Sequence, residues 1–253
     1  MKPLNKYLNE GFFSNTGAGI NAAIDQWMKE NTDCKRYTIN NDGTIDVDGD
    51  IIITNRDITE FPDYIRFRKV KRCFDCSCSS LKSLKGSPEE VGGSFYCYSC
   101  KSLTSLEGCP KAVRRSFNCS NCSSLTSLER TPKEIGGDFC CFNCRSLTSL
   151  EGSPKEVGGD FNCSVCDLTS LEGCPKEVGG NFNCSYCKSL TSLEGAPKEI
   201  GGDFYCSHCI SLTSLKGAPA EVGGYFICSD CNKQFTEEDV KKVSNVKERI
   251  MIR

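Results

Sequence analysis

Histidine is nearly absent from this chain of 253 residues: His208 is the only one, beside one Trp and three Met. Chemistry that needs several imidazoles, such as a proton relay or a histidine-rich metal site, is thereby excluded. Nor is there an excess of one charge, since 31 Lys and Arg stand against 33 Asp and Glu for a net charge of -2. Proteins that grip phosphate backbones carry a basic surplus, so nucleic acid is disfavoured as a partner. No run of residues approaches the roughly 18 apolar positions of a membrane span. The first thirty residues hold no unbroken apolar stretch of the kind a secretory signal uses. Neither a membrane role nor export by a signal peptide is expected.

Cysteine is what the chain has in abundance, at 21 residues. Cysteine-rich chains are commonly small secreted disulfide scaffolds, but this one is long and its cysteine count is odd. Periodicity supplies another explanation. Phe74, Phe95, Phe117, Phe139, Phe161, Phe182, Phe204 and Phe226 recur at steps of 21 or 22 residues, each two residues before a cysteine. One unit reads V-G-G-D-F-N-C-S-x-C-x-S-L-T-S-L-E-G-x-P-K-E. A degenerate ninth unit precedes these, with Ile51, Ile53, Asn55, Ile58 and Phe61 where Phe, Cys, Cys, Leu and Leu stand later. Residues 45–235 therefore read as one solenoid, because a unit this small buries its apolar face only by stacking on its neighbours.

Spacing within the unit carries the structural expectation. Val178, Phe182, Cys184, Cys187, Leu190 and Leu193 are the recurring apolar positions. Phe182 and Cys184, two apart, share the inner face of a short strand, and the chain turns at Cys187. The Gly-Gly pairs and the Pro of P-K-E mark turns on a return path. The pattern resembles the leucine-rich repeat, with the second cysteine at the Asn/Cys position. The expected fold is an α/β solenoid, a leucine-rich-repeat-like right-handed coil of about nine repeats of 21–23 residues, with one parallel sheet and helical caps. Leu147 to Phe161, L-T-S-L-E-G-S-P-K-E-V-G-G-D-F, is similar to the short leucine-rich-repeat proteins encoded by large tailed bacteriophages. Asn is common at the turn position of that family, whereas eight units here carry Cys. The resemblance implies a binding scaffold and no reaction.

Sixteen cysteines form two columns. The strand column is Cys76, Cys97, Cys119, Cys141, Cys163, Cys184, Cys206 and Cys228; the turn column is Cys78, Cys100, Cys122, Cys144, Cys166, Cys187, Cys209 and Cys231. Cys34, Cys73, Cys109, Cys140 and Cys174 lie outside them. The C-x-x-C spacing suits zinc or an iron–sulfur cluster. A structural ladder is the favoured reading, because the spacing repeats with the coil instead of pairing two knuckles across a fold. A buried thiol is also a small hydrophobe with a weak donor. No cofactor or metal is expected, and a reducing compartment, the host cytoplasm or the virion, suits so many thiols. A cysteine nucleophile served by His208 would need an orienting partner and a cleft, so no enzyme activity is expected.

The strand residues that point outward form the expected concave face. Tyr96, Tyr98, Phe142, Tyr186, Tyr205, His208 and Tyr225 stand there among Asn118, Asn162, Asn183 and Asp160, and they vary while the interior positions barely move. Exposed aromatics serve as binding anchors, so these seven are the candidate contacts for an unidentified protein partner. The repeated Lys-Glu of P-K-E reads as a solvated edge.

The ends should be capped. Ile20, Ala23, Ile24, Trp27 and Met28 form a helical apolar stripe within an N-terminal segment, 1–44. Thr236 and Asp239 open a capping helix over 236–250 within a C-terminal segment, 236–253. M-K-P-L-N-K-Y-L-N-E before Gly11 resembles the capsid-targeting peptide of phage internal head proteins, which implies cleavage between Glu10 and Gly11 and packaging in the head.

Overall fold

The structure, a computed structural model, describes residues 17–252, so the Glu10–Gly11 step lies outside the described residues. The chain is a β-solenoid of about nine turns, and two parallel sheets run along it where one was expected. One has ten strands: Ile51–Ile52, the phenylalanine strands from Phe74–Asp75 to Phe226–Cys228, and Ile250–Ile252. The other has eleven. It starts with the antiparallel pair Tyr37–Ile39 and Ile45–Val47, and continues through Phe67–Val70 and the Glu–Val pairs (Ala112–Val113 in one coil, Ile in place of Val in two) to Asn245–Val246. The K-E-V segment is thus a second strand. With only two residues it shows no alternation of its own, and it becomes a strand by pairing with its copy one coil away.

Register is maintained residue on residue: Phe161 pairs with Phe139 and Phe182, and Val157 with Ile135 and Val178. The eight phenylalanines from Phe74 to Phe226 are fully buried, and their ring centroids follow one another at 5.0–5.8 Å. Burial of each such ring contributes about 1.5–3 kcal/mol. Close stacking also explains the Gly-Gly pairs. A Cβ at Gly201 would overlap the Gly179 carbonyl oxygen, so side chains are barred where the coils approach most closely.

At the N-terminal end, α1 (Gly17–Asn31) buries Ala23, Ile24, Trp27 and Met28, and the Trp27 ring lies 6.0 Å from Phe61 and 6.4 Å from Phe67. Asn55 remains exposed, in place of the inward position expected for it, and donates to Asn31 Oδ1 at 2.8 Å. The C-terminal end departs further from expectation. Thr236 and Asp239 do form a capping box, but the helix it opens, α2 (Glu237–Lys241), is five residues long. Beyond it Val246 pairs with Val222 and Ile250 with Phe226, so the chain completes another rung and the solenoid continues past 235. The helical spacing of Val240, Val243 and Ile250 had mixed two elements. Val240 is the buried residue of α2 itself, whereas Ile250 supplies the apolar residue that the edge of the phenylalanine sheet lacked.

Candidate recognition face and cysteine columns

The two cysteine columns interlock. Cys100, Cys122, Cys144, Cys166, Cys187, Cys209 and Cys231 each donate Sγ–H to the carbonyl of the strand cysteine one coil back, at 3.2–3.4 Å. These thiols do at the turn what a side-chain amide does in an asparagine ladder. The first unit requires a correction: Cys78 is exposed, with φ 57°, and is not in the turn column. Ser79 occupies that place, buried, its Oγ donating to Cys76 O at 2.7 Å and lying 3.3 Å from Cys100 Sγ. Counting five residues from Phe74, as in every other unit, reaches Ser79, whose hydroxyl bonds the carbonyl of its own coil's Cys76 where the thiols elsewhere reach one coil back.

Burial pushes the thiols of Cys76, Cys97, Cys163, Cys184 and Cys187 well above the ordinary range, and those of Cys206 and Cys209 to about 12. Cys100 and Cys144 run the other way, lowered by hydrogen bonds with the Cys122 and Cys119 thiols, Cys100 to about 7. Metals bind thiolates, and the raised members of the columns disfavour that chemistry. Among the described residues no group of three or more His, Cys, Asp or Glu is placed to hold a metal ion, and all 21 cysteines are free. A maleimide added to native protein at neutral pH should therefore modify Cys78 first and leave the buried members of both columns, from Cys76 to Cys228, untouched. After unfolding, all 21 thiols should react. Stoichiometric metal together with masked thiols in the unfolded chain would contradict this arrangement.

Four columns flank the phenylalanine and cysteine positions, the one after the strand cysteine being mostly buried serine, and the seven aromatic candidates are distributed among all four. Tyr225 lies in the column before Phe; Tyr96 and Tyr205 follow Phe; Tyr98 and Phe142 follow the strand cysteine; Tyr186 and His208 precede the turn cysteine. The structure joins four of them, two and two. Tyr186 and His208 stack at 4.4 Å, and His208 Nε2 lies 3.6 Å from Asp230 Oδ2. Tyr205 donates its hydroxyl to Asp203 Oδ2 at 2.6 Å, which together with partial burial raises its pKa to about 12. Asp203 Oδ1 accepts the Tyr225 N–H at 2.8 Å. Tyr96 and Tyr98 share another coil several turns away, and Phe142 stands two coils from Tyr98 with Ser120 between. Cys206 and Cys209 face the core while the His208 ring faces outward, so no thiol–imidazole pair forms.

Two backbone devices on this face escaped the sequence reading. Asp138, Asp160, Asn181 and Asp203 each accept, through Oδ1, the N–H of the equivalent residue one coil on at 2.7–2.9 Å. In addition, the residue before the turn position lies in the left-handed region throughout, from Cys78 to Asp230, with φ 53–61°. Asn121 and Asn143 adopt it readily, and Asn143 Nδ2 donates to Asn121 Oδ1 at 2.8 Å. Val165, Tyr186 and His208 occupy it less comfortably. The two asparagines at one spacing were the available signal.

Lys-Glu does not lie on an edge. Glu134, Glu156, Glu177, Glu199 and Glu221 stand in register on the outer face of the second sheet. With Lys133, Lys155 and Lys176 they line a shallow groove of about 2050 Å³. No protein-family model, curated protein or solved structure matches the chain.

Proposed function

We propose that the chain is a non-enzymatic protein-binding scaffold of the leucine-rich-repeat type encoded by tailed bacteriophages. In this reading α1 and the α2 turn cap a right-handed coil. It works in a reducing cytoplasm or in the virion, there trimmed between Glu10 and Gly11. One observation supports it above others, a constant interior beneath a varied exterior. The buried Phe, Cys and Leu columns hardly change over eight coils, while the outward positions range over Tyr, Phe, His, Asn, Asp and Ser. Solubility alone would be served by any polar residue there. Exposed rings such as Tyr186 and Tyr225 cost solvation and supply contact area. A rigid lattice holds them in place before the partner arrives, which lowers the ordering cost of association.

Cross-linking in producing cells tests the reading. A photoreactive phenylalanine analogue at Tyr186 or Tyr98 should give a discrete adduct with one partner protein. The same analogue at Thr148 or Glu177, away from the aromatic face, should give none. Adducts of equal yield at all four positions, or at none, would overturn the proposal.

A further inference from the structure

Across eight coils, none of the four columns that flank the phenylalanine and cysteine positions contains a Lys or Arg, although the chain has 31. The charged residues in those columns are Asp75, Asp138, Asp160, Asp203 and Asp230, with His208 as the one titratable base. The second sheet, by contrast, mixes Lys and Glu in every coil from Lys133 to Glu199. Guanidinium groups stand around this face: Arg56 donates to the Ser77 carbonyl, Arg145 donates to Asn143 Oδ1 at 2.8 Å, and on the last rung Arg249 continues the column before Phe, one coil beyond Tyr225. The two hydrogen-bonded ones lie toward the N-terminal side of the aromatic cluster, and Arg249 closes its C-terminal end. Arg145 and Lys188 stand beyond the turn cysteines, outside the face.

Over the last four phenylalanine coils, carboxylates and rings are intermixed. Asp203 is held between the Tyr205 hydroxyl and the Tyr225 amide, and Asp160 Oδ1 accepts the Asn181 N–H at 2.7 Å. Tyr186, 47 % exposed, is stacked on His208, which approaches Asp230. Fixed carboxylates beside exposed aromatic rings form a surface suited to cations, which gain Coulomb and cation–π attraction together. We propose that this face takes an extended segment of a partner protein rich in arginine and lysine. The inference rests on the scaffold reading and names the class of partner.

Fluorescent decaarginine, with decaglutamate and a neutral Gly-Ser peptide for comparison, is titrated against the full chain by anisotropy. Decaarginine alone should bind, with an affinity that falls as salt is added. The triple variant Asp160→Asn, Asp203→Asn, Asp230→Asn should weaken it on the order of tenfold, and Tyr186→Ala several-fold. These Asp variants preserve the fold, because Asn181 makes the same backbone ladder in the native chain and Asn121 and Asn143 hold the place of Asp230. Unchanged unfolding midpoints verify this. Glu156→Gln, Glu177→Gln, Glu199→Gln removes equal charge from the other sheet and should leave binding intact. Failure of decaarginine to bind, or equal weakening by the two triple variants, overturns the proposal. A partner cross-linked at Tyr186 that excess decaarginine does not displace overturns it too, and leaves the scaffold reading standing.

Discussion

Raising the pH from 8 to 10 in the presence of reductant should unfold this protein at a modest denaturant concentration that it tolerates easily at pH 7. The cause is the buried thiols. Cys76, Cys97, Cys163, Cys184, Cys187, Cys206 and Cys209 have pKa values raised by burial above the ordinary thiol value of 9.0. A group whose folded pKa is raised contributes its stability below the unfolded value and loses it as pH climbs toward the folded one. The unfolded chain sheds these protons above about pH 9 while the folded chain retains them. Each thiol then withdraws about 1.4 kcal/mol per pH unit, and the seven together about ten. A domain of ordinary stability holds only about 5–15 kcal/mol in total, so roughly one unit above pH 9 suffices. Chemical denaturation midpoints between pH 7 and pH 10 measure the effect. A flat profile would sink the thiol-ladder account, because thiolates held by metal or joined as disulfides have no proton to lose.

Phe161→Ala should cost about 3–5 kcal/mol, the upper range for emptying an aromatic site. Phe161 lies in the middle of the ring stack, 5.2 Å from both Phe139 and Phe182, with no exposed surface. Its coil cannot collapse into the void, because hydrogen bonds above and below fix the spacing: Phe139 N donates to Asp160 O, and Phe161 N to Asn181 O, both at 2.8 Å. In a solenoid the loss falls on the interface between neighbouring coils, so unfolding should also become less cooperative, with two resolved transitions. Phe161→Leu, which keeps most of the volume, should cost less than about 1.5 kcal/mol. Hydrogen exchange would locate the break. Equal costs for the two variants would show that the stack relaxes around the site and that ring contact is not what couples the coils.

Much of this architecture can be read from the sequence because it is written eight times. Steps of 21 or 22 residues between phenylalanines identify the coil, and the period of two from Phe182 to Cys184 identifies its inner face. Both cysteines of that unit are fully buried, as the spacing requires. Trp27 on its helical stripe was legible for the same reason, since an apolar face repeated at helical spacing depends on nearby residues alone. The candidate face was legible only in composition. The aromatics could be listed, but which of them meet depends on coil-to-coil register, and that brought Tyr186 to His208 while leaving Phe142 apart.

The sequence by itself determined the period, the interior columns and the positions left free to vary, all of which follow from local spacing. Tertiary structure alone decided what depends on a partner a full coil away. Glu156–Val157 is a strand because Glu134–Ile135 and Glu177–Val178 lie on either side of it. Ile250 forms a rung because the edge of the Phe226 strand would otherwise stand unpaired. Each is a pairing between groups about 20 residues apart or a position set by such a pairing, and a window of local sequence carries no information about what the next coil places there.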